Sequence, residues 1–272
     1  MVPSSPRYWP TRGFGQVYRP DIAVGTGIHG DSGAPSRLGG VFLIGFPAAA
    51  FATNCFVVAP SEGEECLIID PGVGVVDRLS EVLRTHRLKP AAVLLTHGHL
   101  DHTYSVTPVC GERDVAAYIH TDDRYRLENP ADQLGEELRL MLTAQFGGLE
   151  WTEPSDIVTF SDRQKLDLAG LSVEVAHAPG HTEGSVLFTV EHLPDSLPED
   201  SGLARTIFAG DVLFSGGIGR TDLPGGDDAA MQASLRDVVL TMPDDSLVLP
   251  GHGPATTIAR ERTANPFLAH LT

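Results

Sequence analysis

The stretch Thr96-His97-Gly98-His99-Leu100-Asp101-His102 places four metal-binding side chains within six residues, directly after the apolar run 91–95. In a strand alternate residues face one side, so His97 and His99 can converge on one point. The chain must then turn, which lets Asp101 and His102 reach a second point nearby. Imidazole nitrogen together with carboxylate oxygen suits a borderline divalent ion such as zinc, iron or manganese. The bland alternative is a polar loop with capping roles. The pattern H-x-H-x-D-H immediately behind an apolar strand argues against it.

Three later residues extend the set: His181 in APGHT, Asp211 in FAGD and His252 in LPGHG. Each follows an apolar run and has a glycine beside it, which permits close backbone approach. Open sheets carry functional residues beyond their strand ends. Seven ligands is about the number needed for two ions that share one bridging carboxylate and one bridging water. Of the 11 histidines this set uses five, leaving His29, His86, His120, His177, His192 and His270. His177 lies four residues before His181. It is expected to pack, or to hydrogen-bond behind the ligands, rather than to bind an ion.

Short apolar segments must position these residues. Residues 41–47, 53–60 and 66–72 read as strands, the third ending at Asp70. The spacing of Val76, Leu79, Val82 and Leu83 predicts a helix over 75–86. Residues 91–99 form a strand running into the polar cluster, and 115–120 another strand after a helix. Leu134, Leu138, Leu140 and Met141 give 121–150 a largely helical reading. Four further strands or strand ends fall at 173–181, 185–192, 206–211 and 246–253. A helix fits 228–241 and stops before Pro243, and the Pro-, Ser- and acid-rich stretch 192–204 reads as a surface loop. Residues 1–38, rich in Pro, Gly and Ser, are read as an N-terminal extension, and 39–272 as one domain.

The alternation is α/β, but no G-x-G-x-x-G follows the first strand and no Walker A motif occurs. Gly251-His252-Gly253 lacks the central Ser of a nucleophile elbow. Lys plus Arg number 19 against 36 Asp plus Glu, a net charge of −17. Such a chain repels phosphate backbones, so nucleic acid is not an expected partner. The 29 Gly and 20 Pro favour turns and working loops over a helical bundle. Cys55, Cys66 and Cys110 make no disulfide framework and share no metal-binding spacing. Cys55 and Cys66 are expected to be buried. No window approaches 18 apolar residues and no signal-type core opens the chain, so no membrane partner and a cytoplasmic location are expected.

From about Val41 onward the chain resembles the metallo-β-lactamase-fold superfamily. The likeness rests on THGHLDH, the later His181, Asp211 and His252, and the strand pattern. Within the superfamily it is most similar to the short bacterial glyoxalase II-like, or hydroxyacylglutathione hydrolase-like, group. The resemblance implies a four-layer αββα sandwich. It implies that His97, His99 and His181 hold a first metal, Asp101, His102 and His252 a second, and that Asp211 bridges. The implied cofactors are two divalent ions, zinc foremost, with iron or a mixed pair as the alternative. The implied reaction is hydrolysis of a small-molecule thioester by a monomer or homodimer. Asp211 would clamp both ions, and Asp101 would act as a ligand or, with the second site empty, as a base. The string from Ser215 to Asp227 is equally similar to iron-dependent persulfide dioxygenases, where His97, His181 and Asp211 would be the ligands. A lactone or phosphoester hydrolase is the remaining alternative. By the same resemblance Asp211 argues against class B β-lactamases, and His99 against flavodiiron proteins.

One departure stands out. Glyoxalase II proteins carry a helical domain after the last metal histidine that grips glutathione. Here 20 residues follow His252, with Arg260 and Arg262 as their cationic donors. The mouth of the site is therefore expected to be covered by residues 122–153, with Tyr8, Trp9 and Tyr18. Arg220 is expected to pin its loop through Asp222 or another acid.

Overall fold

The computed structural model describes residues 40–130, 136, 139–140, 143–144 and 151–271. The 1–38 extension with Tyr8, Trp9 and Tyr18 lies outside the described residues, as do Leu134, Leu138 and Met141. One sheet contains, in spatial order, β1 (Phe42–Pro47), β2 (Asn54–Ala59), β3 (Glu65–Ile69), β4 (Lys89–Leu94), β5 (Ala117–His120) and β6 (Ile157–Phe160). The first three strands are antiparallel, and β3 to β6 run parallel. The second sheet is built from β7 (Lys165–Leu168), β8 (Leu171–His177), β9 (Val186–Val190), β10 (Arg205–Gly210), β13 (Ser246–Pro250) and β14 (Thr256–Thr257). Between β10 and β13 lies a separate hairpin of β11 (Leu213–Phe214) and β12 (Gly217–Ile218).

Both faces of each sheet are apolar, and this forces four layers. In β2 every residue is buried. Strand alternation sends Phe56 and Val58 one way and Cys55 and Val57 the other. Phe56, Leu67 and Leu94 meet Val175, Phe188, Phe208 and Leu249 of the second sheet in a shared central core. On the far side, Val57, Ile68 and Val93 pack under helices α1 (Val76–Thr85) and α3 (Val106–Arg113), with the short α2 (Leu100–Thr103) between them. Leu187, Ile207 and Val248 pack under α4 (Asp228–Asp237) and α5 (Ile258–Ala264). Asp227 caps α4 by accepting from the Ala230 amide, and Thr257 caps α5 by accepting from the Arg260 amide. The architecture is the four-layer αββα sandwich.

The first three strands, α1 and α4 fall where the apolar patterns place them. Strands β6 and β7, four residues each, are not legible in the sequence. Their hydrogen-bond partners come from distant or newly turned chain, and four residues carry too little periodicity. Residues 121–127, read as part of a helical stretch, form 3-10 turns, and their Asp123 and Arg126 side chains bond to each other and to neighbouring loops. Cys55, Cys66 and Cys110 are buried free thiols. Burial pushes Cys66 and Cys110 up to about 12, so none behaves as a reactive thiolate. Among the described residues no helix is long and apolar enough to cross a membrane.

Phe208 sits edge-on to Phe56 across the two sheets, ring centroids 5.4 Å apart. Phe208→Ala is expected to cost about 3–5 kcal/mol of stability by leaving a cavity between the sheets. Urea denaturation checks this, and a loss under about 1 kcal/mol would show that the two inner faces are not the main core.

Candidate metal centre

The strand directions bring all seven candidate ligand residues to one edge of the sandwich. β3, β4 and β5 are parallel, so Asp70, the loop after Leu94 and His120 emerge together. In the other sheet β10 and β13 are parallel, and β8 shares their direction through antiparallel β9. His181, Asp211 and His252 therefore follow strand ends on the same side. The sheets are stitched there: the Val186 amide donates to the Thr96 carbonyl at 2.9 Å, and the Asn54 amide to the Gly251 carbonyl at 2.7 Å.

Strand alternation does not align His97 with His99, as the sequence pattern suggested. β4 stops at Leu94, and both histidines lie in the loop between it and α2. The ladder ends because the Thr96 amide and hydroxyl turn to the Asp70 carboxylate, at 2.8 and 2.6 Å. Asp101 and His102 then enter the short α2.

The ligand atoms of His97, His99 and His181 lie within 4.8 Å of one another, as do those of Asp101, His102 and His252. A third group, His97, His102 and Asp211, overlaps both and joins them. His99 Nδ1 stands 2.8 Å from His181 Nε2. Asp211 Oδ1 is 3.3 Å from His102 Nε2, and its Oδ2 is 3.6 Å from both His181 Nε2 and His252 Nε2. Asp101 Oδ2 is 3.1 Å from His252 Nε2.

The outer ring nitrogens are spoken for. His102 Nδ1 donates to Asp70 at 2.9 Å, His181 Nδ1 to the Arg220 carbonyl at 2.8 Å and His252 Nδ1 to the Phe51 carbonyl at 3.1 Å. A proton on Nδ1 leaves the Nε2 lone pair aimed inward. Thr53 donates to Asp101 Oδ2 at 3.0 Å. Asp70, Thr53 and the Phe51 carbonyl are supports that sequence reasoning missed. Asp70 was visible only as a strand end, while Thr53 and Phe51 bore no signal.

Electrostatics divide the ligands. Burial, reinforced by the neighbouring imidazoles, holds His97 well below its usual range and His99 at about 3. Burial also lowers His181, although Asp211 opposes the shift. Burial works against a charge on His102 too, yet the carboxylates of Asp101, Asp211 and Asp70 outweigh it and raise its pKa. His252 is raised in the same way, against burial, by its bond to Asp101 and the charge of Asp211. Burial would raise Asp101 and Asp211, but His102 and His252 keep both below the usual carboxylate range.

A second grouping, His120, Asp122 and His177, also lies within ligand reach. Its two imidazoles stack, 4.0 Å apart at 15°, so their in-plane lone pairs do not meet at one point. His177 Nε2 donates to the Glu183 carbonyl at 2.7 Å, and His120 Nδ1 accepts from the Asp122 amide at 3.2 Å. His177 thus packs and hydrogen-bonds beside the centre, apart from the seven. Arg220 is held by Asp222 through two bonds of 2.7 Å. Within 122–153, Asp123 reaches the centre's edge by accepting from the Gly98 amide at 2.7 Å.

Three buried polar atoms of the cluster, His97 Nε2, His102 Nε2 and Asp211 Oδ1, have no hydrogen-bond partner. Leaving such atoms unmatched costs about 1–3 kcal/mol each. They point at one another's neighbourhood, which is what a divalent cation would satisfy, and the donor set fits a zinc- or iron-type ion. An αββα sandwich with such a His/Asp centre at one edge defines a metallo-hydrolase. The chain belongs to the metallo-β-lactamase superfamily, whose family model matches residues 48–252. It is 41% identical over 232 residues to an uncharacterized protein of Mycobacterium tuberculosis, covering 85% of this chain and 99% of that one. It is 35% identical over 229 residues to hydroxyacylglutathione hydrolase GloC of Haemophilus influenzae, covering 82% and 95%. Among solved structures it is similar to the BLEG-1 B3 metallo-β-lactamase, with 33% identity, TM-score 0.66 and 84% and 99% coverage. It is also similar to TTHA1623 in a di-iron-bound form, with 32% identity, TM-score 0.64 and 83% and 100% coverage.

The pKa division has a consequence for metal binding. His102 and His252, with raised pKa values, take up protons first as pH falls, and each proton must leave before a metal binds. His97, His99 and His181, with lowered values, stay unprotonated to lower pH. Lowering pH from about 8 to about 5 is therefore expected to empty the Asp101–His102–His252 cluster before the other. Equilibrium dialysis with elemental analysis should show a plateau near one ion per chain. Simultaneous loss of all metal would contradict the division.

Proposed function

We propose that this chain hydrolyses the acyl ester of a low-molecular-weight thiol. The observation that carries the reading is that two three-residue clusters lie side by side with Asp211 between them, its Oδ1 3.3 Å from His102 Nε2 and its Oδ2 3.6 Å from both His181 Nε2 and His252 Nε2. The likeness to GloC selects a thioester among the carbonyl electrophiles such a centre can attack. In this reading His97, His99 and His181 hold one ion, Asp101, His102 and His252 hold the other, and Asp211 spans them. Zinc is the proposed ion, with iron as the alternative that the di-iron relative supports. When bound, the pair supplies a hydroxide at neutral pH and a Lewis acid for the carbonyl oxygen.

The chain's own residues do the rest. Asp211 and Asp101 supply negative charge that keeps the ions close. Thr53 holds Asp101 in place by donating to Oδ2. The hydrogen bonds of the outer ring nitrogens fix His102, His181 and His252 before substrate arrives. Phe214, with its ring 6.2 Å from that of His252, offers an apolar contact for the acyl part. No side chain need protonate the leaving group, because a thiol has a pKa of about 8.5 and departs readily as thiolate.

Zinc-loaded protein under nitrogen is expected to release thiol from a lactoyl thioester. Asp211→Asn should lower turnover about 100-fold or more and lose one ion equivalent, since an amide cannot neutralise and clamp two cations. Fast oxygen consumption with a low-molecular-weight persulfide, and no thioester hydrolysis, would replace this reading with dioxygenation. Faster opening of a chromogenic β-lactam than of any thioester would favour the activity that BLEG-1 is named for.

A further inference from the structure

The two ligand clusters share Asp70, which holds both His102 and the Thr96 that touches His97 Nδ1 at 3.1 Å, but their other supports differ. Asp101, His102 and His252 lean on Thr53, Asp70 and the Phe51 carbonyl. None of these touches the loop that follows His181. The bonds of Asp123 go elsewhere. Its side chain is fully buried. Oδ2 accepts from the Gly98 amide and the Thr182 hydroxyl, each at 2.7 Å. Oδ1 accepts from the Gly184 amide at 2.7 Å and from Arg126 Nε at 3.2 Å. Gly98 stands between His97 and His99, while Thr182 and Gly184 follow His181 directly.

We propose that Asp123 is a positioning residue that holds the His97–His99–His181 cluster closed by tying the loop carrying His97 and His99 to the loop carrying His181. These loops leave different sheets, and nothing covalent near the site joins them. Yet His99 Nδ1 and His181 Nε2 stand 2.8 Å apart. The Val186–Thr96 backbone bond joins the bases of the two loops, and the Asp123 carboxylate with its four donors adds a tie beside the histidines themselves, joining Gly98 to Thr182 and Gly184. Arg126 closes the ring. It balances the Asp123 charge, bonds Glu183, and donates to the Pro224 carbonyl at 2.9 Å. Pro224 lies in the same loop as Arg220, whose carbonyl orients His181.

Two glycines make room for the tie. A Cβ on Gly98 would fall 2.7 Å from Arg126 Cβ, and one on Gly184 would fall 2.7 Å from Asp123 Cβ. Both are closer than packed carbons approach, so the 121–127 segment would have to back away from both loops. Asn at position 123 cannot reproduce the tie. Every partner of the carboxylate is a donor, so whichever way the amide turns, its NH2 faces another donor.

The proposal rests on the two-ion reading, so the test uses single-cluster parents. His252→Ala leaves the His97–His99–His181 cluster, and His181→Ala leaves the other. Zinc affinity is measured by competition with a chromophoric chelator, and the ligand field by the visible spectrum after cobalt loading. Asp123→Asn in the His252→Ala parent is expected to weaken zinc about 10–100-fold and to alter the cobalt bands. In the His181→Ala parent it should change affinity by less than about threefold. Equal losses in both parents would make Asp123 a general structural residue and overturn the proposal, as would no loss in either. If Asp123→Asn does not fold, Thr182→Val removes one bond and keeps the carboxylate, and a several-fold loss confined to the His252→Ala parent is expected. No such loss would overturn the proposal. Failure of the His252→Ala parent itself to bind zinc would overturn the two-ion reading and the proposal with it.

Discussion

The rest of the structure depends on a crowd of like groups. Five imidazoles and two carboxylates meet at one edge of the sandwich, several with buried polar atoms that have no partner. Apolar packing cannot satisfy such atoms, and water cannot reach them freely. A divalent cation would match the lone pairs of His97, His102 and Asp211 at once. Such an arrangement is electrostatically poor in the polypeptide alone, and it fits a metal site, where bound cations would offset the crowding.

Holding that arrangement falls to the two sheets. Their shared core of Phe56, Phe188, Phe208 and Leu249 fixes how the sheets face each other. Parallel strands then deliver their ends to a common edge. The loops beyond the strands carry the chemistry, so each ligand is one or a few residues from a rigid ladder. Contacts between the sheets at that edge, such as Val186 to Thr96, convert the packing of the core into a fixed separation of ligands.

The polar residues behind the ligands work in two groups. Asp70 serves Thr96 and His102 and so joins the strand end to the Asp101–His102–His252 side. Asp123 and Arg126 serve the loops of His97, His99 and His181. The charge pattern agrees with this separation. Carboxylates surround His102 and His252 and raise them, while burial and neighbouring imidazoles lower His97 and His99. One centre thus contains a side that takes protons readily and a side that resists them.

The ligand types were legible in the sequence because H-x-H-x-D-H and three Gly-flanked residues after apolar runs leave few bland explanations. The long, doubly apolar strands and the amphipathic helix α1 were legible too, since periodicity survives without tertiary context. Strands β6 and β7 were not, because four residues hold too little pattern and their pairing is decided by distant chain. The bend after Leu94 was not either: it exists because Asp70, some 26 residues away, captures the Thr96 amide. Asp123 carried no signal of its own, and only folding brings Gly98, Thr182 and Gly184 around it. Sequence alone determined which atoms could bind metal. Tertiary structure decided which of them meet and what holds them, because hydrogen bonds between remote loops leave no local spacing to read.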